Sequence, residues 1–214
     1  GEALVAITTY AQLQTAAANW LDRTDLTALI PEFIELSEAK FNRVIRSPDM
    51  IAKDTTFALA SQFTTLPTDT LEIIRIVVDV APPITLEYLT PEEISEGRGV
   101  MNTTGRPRYF TVIGGATGQL EVLPSPDDTY TSSIVYYTKI PALTDSATSN
   151  WLLASHPDIY LYGLLVEAEP YLKNDERLPV WSSQLDQAIT ELRLQGQRTL
   201  HSGSSLRMRA RVLG

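Results

Sequence analysis

The sequence predicts an α+β protein: a helical bundle of about four helices drawn from both chain ends, an inserted small β-sandwich or barrel domain, and an extended C-terminal arm. Three observations predict this. Apolar residues recur at helical spacing near both termini. The middle of the chain switches to the two-residue period and the Ile, Val, Thr and Tyr enrichment of half-buried strands. The last residues alternate apolar with basic after a Ser- and Gly-rich break. The corresponding boundaries are 1–48 and 150–200 for the bundle, 49–149 for the inserted β domain and 201–214 for the arm. At 214 residues the chain suits one domain, or a small domain inserted into another, with enough length to bury a core.

The first helix starts from a capping-box pattern, Thr9 with Gln12, and places Leu13, Ala17, Trp20 and Leu21 on one face. Asp22–Asp25 supplies a turn. A second helix opens at Pro31, with Glu32 in the first turn where the helix dipole favours an acid. Its buried stripe is Ile30, Phe33, Ile34, Phe41, Val44 and Ile45, and Ser47-Pro48 ends it. In the middle region Phe57 and Leu59 alternate with polar neighbours, as do Ile84, Leu86 and Tyr88, and strands are expected over Leu71–Val80 and Tyr130–Ile140. Pro107–Ile113 and Gln119–Leu123 flank Gly114-Gly115-Ala116-Thr117-Gly118 and form a hairpin. Thr90-Pro91-Glu92-Glu93 is a second capping box, opening a short helix that Gly97 and Gly99 stop.

Helix returns from Trp151. Pro157 starts it, Asp158 favours its N-terminus, and Tyr160, Leu161, Leu164, Leu165 and Ala168 form an apolar face. Pro170 has no N–H to donate, so this helix should kink or end near Val166–Pro170. An acidic turn over Lys173–Arg177 leads into a last amphipathic helix with Leu178, Trp181, Leu185, Ile189 and Leu192.

Composition narrows the function classes. No cysteine occurs, which excludes disulfides, thiolate metal sites and cysteine nucleophiles. His156 and His201 are the only imidazoles, too few to favour a zinc enzyme. No apolar run approaches the ~18–20 residues that cross a bilayer, so no membrane partner is expected. The net charge is −9. No acid follows Glu191, and setting aside Arg193, Arg198, Arg207, Arg209 and Arg211 leaves 12 of 17 basic residues against all 26 acids, a net charge of −14 on the first 191 residues. An acidic body with a short basic end is not a groove-sized DNA-binding face. It suits a globule whose end reaches for an acidic partner.

Candidate chemistry is sparse. Gly114–Gly118 lacks the Lys and Ser/Thr of a phosphate loop. Glu167 and Glu169, two apart on a helix, point to different faces. Ser155, His156 and Asp158 are too close in sequence to converge as a triad. Glu92, Glu93 and Glu96 are solvated charges at a helix start. Trp20, Trp151 and Trp181 are core or interface anchors, with a carbohydrate platform as the alternative. No catalytic, cofactor or metal residue is assigned. The segment Leu206–Leu213 is different: extended, it sets Arg207, Arg209 and Arg211 on one side and its apolar groups on the other. Such a strand can dock by β-augmentation or in a groove, its guanidinium groups pairing with acids.

Three stretches, TTYAQLQTAAANWLDRTDLTALIPEFIELSEAKFNR, HPDIYLYGLLVEAEPYLKNDERLPVW and SGSSLRMRAR, cover roughly a third of the chain. Their wording resembles the head-to-tail adaptor (connector) proteins of tailed bacteriophages, which form a ring beneath the portal. The resemblance implies a structural, non-enzymatic protein at the head–tail interface of the virion, made in the host cytoplasm, with no cofactor. It implies a homo-oligomer of twelve copies matching the twelve-fold portal, with the portal protein and tail (nozzle or hub) proteins as partners. DNA would pass through the ring without specific nucleic-acid binding. It also implies that the arm, through Leu206, Arg207, Met208, Arg209 and Arg211, runs along the portal. A closed ring needs two different complementary patches per subunit; Trp20, Phe33, Phe41 and Arg43 are the candidates for one of them. The rivals are a cell-wall glycosidase, whose two carboxylates need carry no local motif, and a carbohydrate- or host-binding virion module centred on the β region.

Overall fold

A computed structural model describes residues 6–22, 25–101, 103–114, 118–172 and 177–201. Among these residues the fold is mixed α+β, with six α-helices and two four-stranded sheets. They divide into two compact units: those up to Asp49 together with those from Ile140 onward, and Met50–Lys139.

The helical unit begins with α1 (Tyr10–Leu21). Its capping box forms in both directions: the Thr9 hydroxyl accepts from Gln12 N–H, and Gln12 Oε1 accepts from Thr9 N–H. Leu13, Ala17 and Leu21 are buried as the spacing requires, and Asp22 closes the helix in the left-handed region at φ 50°. Helix α2 (Ile30–Val44) carries Pro31 and Glu32 in its first turn and buries Ile30, Phe33, Ile34 and Phe41. The stripe expected from sequence needs two corrections. Val44 lies on the rim, 36% exposed, while Ser37 and Glu38 sit inside.

Short α4 (Trp151–Ser155) is capped by Asn150, whose Oδ1 accepts from Leu153 N–H at 2.9 Å. Helix α5 (Pro157–Leu172) is apolar almost all round, as a central helix must be, and packs against α1, α2, α4 and α6 (Leu178–His201). It runs through Pro170 to Leu172, beyond the end expected from sequence. Pro170 has no N–H to give the Val166 carbonyl, so one intrahelical bond is missing there, and the helix ends two residues later. Gly163 lets α2 approach: a Cβ on it would come within 2.5 Å of the Phe41 ring. In α6, Leu185, Ile189 and Leu192 are buried, and Gly196 is pressed against Pro48. The expected turn over Lys173–Arg177 lies, up to residue 176, outside the described residues.

Residues 140–149, which the sequence reading places in the inserted region, make their contacts in the helical unit. Ile140 N–H donates to Asn42 Oδ1 (2.8 Å), Leu143 N–H to Glu38 Oε1 (2.8 Å), and Tyr10 N–H to Thr148 C=O (2.7 Å). Ile140 and Leu143 are buried. Polar groups on α2 therefore hold the returning chain, a pattern that an apolar-stripe reading overlooks.

The second unit holds β1 (Ile51–Leu59), β2 (Phe63–Thr65), β3 (Thr70–Val78), β4 (Ile84–Thr85), β5 (Glu87–Tyr88), α3 (Pro91–Val100), β6 (Tyr109–Ile113), β7 (Gln119–Leu123) and β8 (Tyr130–Thr138). The sheets are ordered β1-β8-β3-β4 and β2-β7-β6-β5, antiparallel except for the β5–β6 pair. One apolar cluster draws on both sheets, with Phe57, Leu59, Ile76, Val78 and Ile134 from the first and Phe110, Leu120 and Val122 from the second. The β6–β7 hairpin forms, although residues 115–117 of its loop lie outside the described set.

Helix α3 opens with the reciprocal Thr90–Glu93 box but runs through Gly97 and Gly99 to Val100, where the sequence reading stopped it. Gly97 is there for closeness instead, since a Cβ on it would lie 2.9 Å from Leu123 Cδ2. On the same helix Arg98 Nη2 reaches Glu121 Oε1 at 2.7 Å and Nη1 reaches Ser125 Oγ at 2.9 Å, tying α3 to the second sheet.

Candidate functional site

The four side chains expected at a subunit contact separate into two pairs. Trp20 is 45% exposed near the end of α1, and Arg43 is exposed on the outer face of α2. Phe33 and Phe41 face inward: Phe33 is 5% exposed, and Phe41, at 0%, meets the Tyr160 ring edge-on at 5.3 Å. Their period on α2 fits a core stripe as well as a contact stripe, and burial assigns them to the core. The arm residues Leu206, Arg207, Met208, Arg209 and Arg211 lie outside the described residues.

Trp20 is part of an aromatic group. Its ring lies 5.4 Å from Trp181 and 6.3 Å from Tyr162, and Tyr162 and Trp181 stack at 6.1 Å with 19° between planes. The three come from α1, α5 and α6, which shows how residues distant in sequence make one half-exposed surface. Trp181 Nε1 donates to Glu169 Oε1 at 3.1 Å, which fixes the indole and places the carboxylate inside, 2% exposed. Trp151 begins α4 and is half-buried.

Glu167 instead pairs with Lys40 at 3.8 Å, so the two acids of α5 serve separate contacts. His156 ends α4, where its N–H donates to Leu152 C=O at 2.7 Å, while Asp158 is exposed in the first turn of α5.

A buried polar cluster joins α2, α5 and the residues that precede α4. Glu38 Oε1 accepts from Leu143 N–H and from the Tyr160 hydroxyl (3.0 Å), and Asn150 Nδ2 donates to Tyr160 Oη (2.6 Å) and to Pro141 C=O (2.7 Å). Burial pushes the Glu38 carboxyl up, opposed by these hydrogen bonds, with Glu35 adding a smaller push in the same direction. Burial and the neighbouring carboxylate raise the Tyr160 phenol far above its usual range. The sequence signal for this cluster is a glutamate in the apolar stripe of α2, four residues after Ile34 and three before Phe41.

Because the folded carboxyl binds its proton more readily than the unfolded one, protonation favours the folded state. Glu38 therefore adds stability as pH falls through its raised folded value towards the unfolded value near ~4.3, and its burial costs most when it is ionised at neutral pH. Glu38→Gln should show the least loss, or a gain, at pH 7 and a growing deficit towards pH 5, measured by urea unfolding. A stability difference independent of pH would contradict this.

Among the described residues no group of three or more His, Asp or Glu side chains converges to hold a metal ion, and no helix is long and apolar enough to cross a membrane. Aromatic and aliphatic groups stand at the surface of the helical unit, with Leu36, Tyr171, Leu194 and Leu200 joining Trp20. Aromatic and aliphatic side chains of this kind are what protein–protein contacts bury. The family model described as SU10 adaptor protein matches residues 8–209, and the chain belongs to this family of phage head–tail adaptors. Membership makes it a structural component of the virion that interacts with head–tail components. No curated protein matches the chain.

Proposed function

We propose that this chain is the repeating subunit of a ring that joins the portal of a phage head to its tail and lets DNA pass. The family match over residues 8–209 carries the reading, because it spans both compact units. Twelve copies would match the portal's symmetry. The helices act as a bundle that builds the ring, the paired sheets act as an inserted β-sandwich or barrel facing outward or towards tail proteins, and residues 201–214 act as an arm that grips the portal.

Trp20 and Arg43 are the members of the expected contact set that stand on the surface, and we assign them to the subunit interface. The arm is assigned to the portal through Leu206, Arg207, Met208, Arg209 and Arg211. Its alternating pattern offers an apolar side for a groove and a cationic side for acids. The acidic body serves the conduit, since like charge repels passing duplex instead of holding it. No catalytic step is assigned to any residue. Purified chain mixed with portal-bearing heads should co-sediment with them and clear no peptidoglycan in a zymogram. Clearing that is lost in an acid-to-alanine variant would instead establish the glycosidase.

A further inference from the structure

We infer that the head-to-tail contact between copies joins the acidic first half of α2 on one subunit to the basic end of α6 on the next. This rests on the ring reading above and specifies its interface.

The outward face of α2 reads Glu32, Glu35, Leu36, Ala39 and Arg43, all exposed at the spacing of one helical stripe. Its acids occupy the first half. Leu36 is 53% exposed among them, and Tyr171, 59% exposed, is held beside this end by its ring contact with Phe33 at 5.8 Å. The opposite end of the same unit has the opposite sign. Arg193 Nη2 donates to the carbonyl of Val44, the last residue of α2, at 2.7 Å, and Gly196 packs on Pro48. The distal turns of α6 therefore lie against the C-terminal end of α2, ~18 Å along the helix from Glu32.

There Leu194 and Arg198, four apart, share an outward face, Leu200 is 56% exposed, and Arg43 adds a further cation. Glu191, the last acid in the chain, lies on that face and is engaged by Gln187 Nε2 at 3.0 Å.

Single exposed leucines need no explanation. Exposed apolar groups flanked by mainly opposite charges, at opposite ends of one helical unit, are a different matter. Acidic end against acidic end, or basic against basic, is repulsive, so two identical copies associate favourably in only one direction. A heterologous contact of that kind closes into a ring when its rotation permits. The aliphatic groups and Tyr171 supply the buried area, and the charges set register and direction.

Charge exchange tests this directly. One variant carries Glu32→Arg and Glu35→Arg, and a second carries Arg43→Glu and Arg198→Glu; circular dichroism verifies that each is folded. Each alone should load onto portal-bearing heads at less than a tenth of parental occupancy in low salt. An equal mixture, or one chain carrying all four changes, should recover most of it. The milder Glu35→Gln and Arg198→Gln should each weaken loading severalfold and flatten its salt dependence. Parental loading by either reversed variant, or no recovery in both the mixture and the four-change chain, overturns the α2–α6 contact while leaving the ring intact. A parent chain that forms no ring on the heads overturns the ring reading itself.

Discussion

Phe41→Ala should destabilise the helical unit by about 3–5 kcal/mol, the range for a fully buried aromatic truncated to alanine. The ring is completely enclosed, meets Tyr160 edge-on at 5.3 Å, and fills the space left by the missing side chain of Gly163. Alanine would leave a cavity between α2 and α5, and the close approach at Gly163 is a backbone fit that cannot collapse far without moving α5. Loss of the edge-on pair adds to the transfer cost. Phe41→Leu, which keeps most of the volume, should cost less than half as much. Urea unfolding followed by helical circular dichroism checks both, with the midpoint falling and the slope unchanged. A loss under about 1 kcal/mol for the alanine variant would mean that the ring is not the core element its burial indicates.

Removing Ser204–Gly214 should abolish loading onto portal-bearing heads while leaving the fold intact. The deleted stretch carries three of the five arginines that follow Glu191, and none of its residues precedes the end of α6 at His201. If the arginines dominate, raising salt should weaken loading of the full chain, and apolar contacts made by Leu206 and Met208 with the portal would blunt that dependence. Co-sedimentation of truncated and full-length chain at matched concentration provides the measurement. Undiminished loading by the truncated chain would remove the arm from the portal contact. Normal loading with altered thermal stability would place its role inside the subunit instead.

Much of the local structure was legible from residue patterns, because capping and periodicity are short-range. Thr9 with Gln12, and Thr90 with Glu93, form both hydrogen bonds of their boxes. The Gly114–Gly118 loop joins the antiparallel pair expected on either side of it. Membership of the adaptor family was legible as wording at the two ends, and the family match spans residues 8–209.

What escaped the sequence was set by tertiary context. Gly97 and Gly99 read as helix stops, yet Gly97 serves to bring α3 against Leu123. Pro170 read as a kink or an end near Val166–Pro170, and the helix runs two residues past it, to Leu172. Short β2 has no alternation to detect in three residues. Glu38 stands in the apolar stripe of α2, but its partners could not be read from the sequence, because Leu143 and Tyr160 lie more than a hundred residues away. Phe33 and Phe41 were ambiguous for a related reason: a core stripe and a contact stripe have the same period. The joining of Trp20, Tyr162 and Trp181 follows only from packing three helices together.

Cryo-electron microscopy of the chain bound to portal-bearing heads tests the adaptor-ring proposal most directly. The expected image is a closed ring of twelve subunits seated on the portal, built from the helical units, with a lumen not lined mainly by lysine and arginine. Isolated copies, open arcs, or density away from the portal would contradict it.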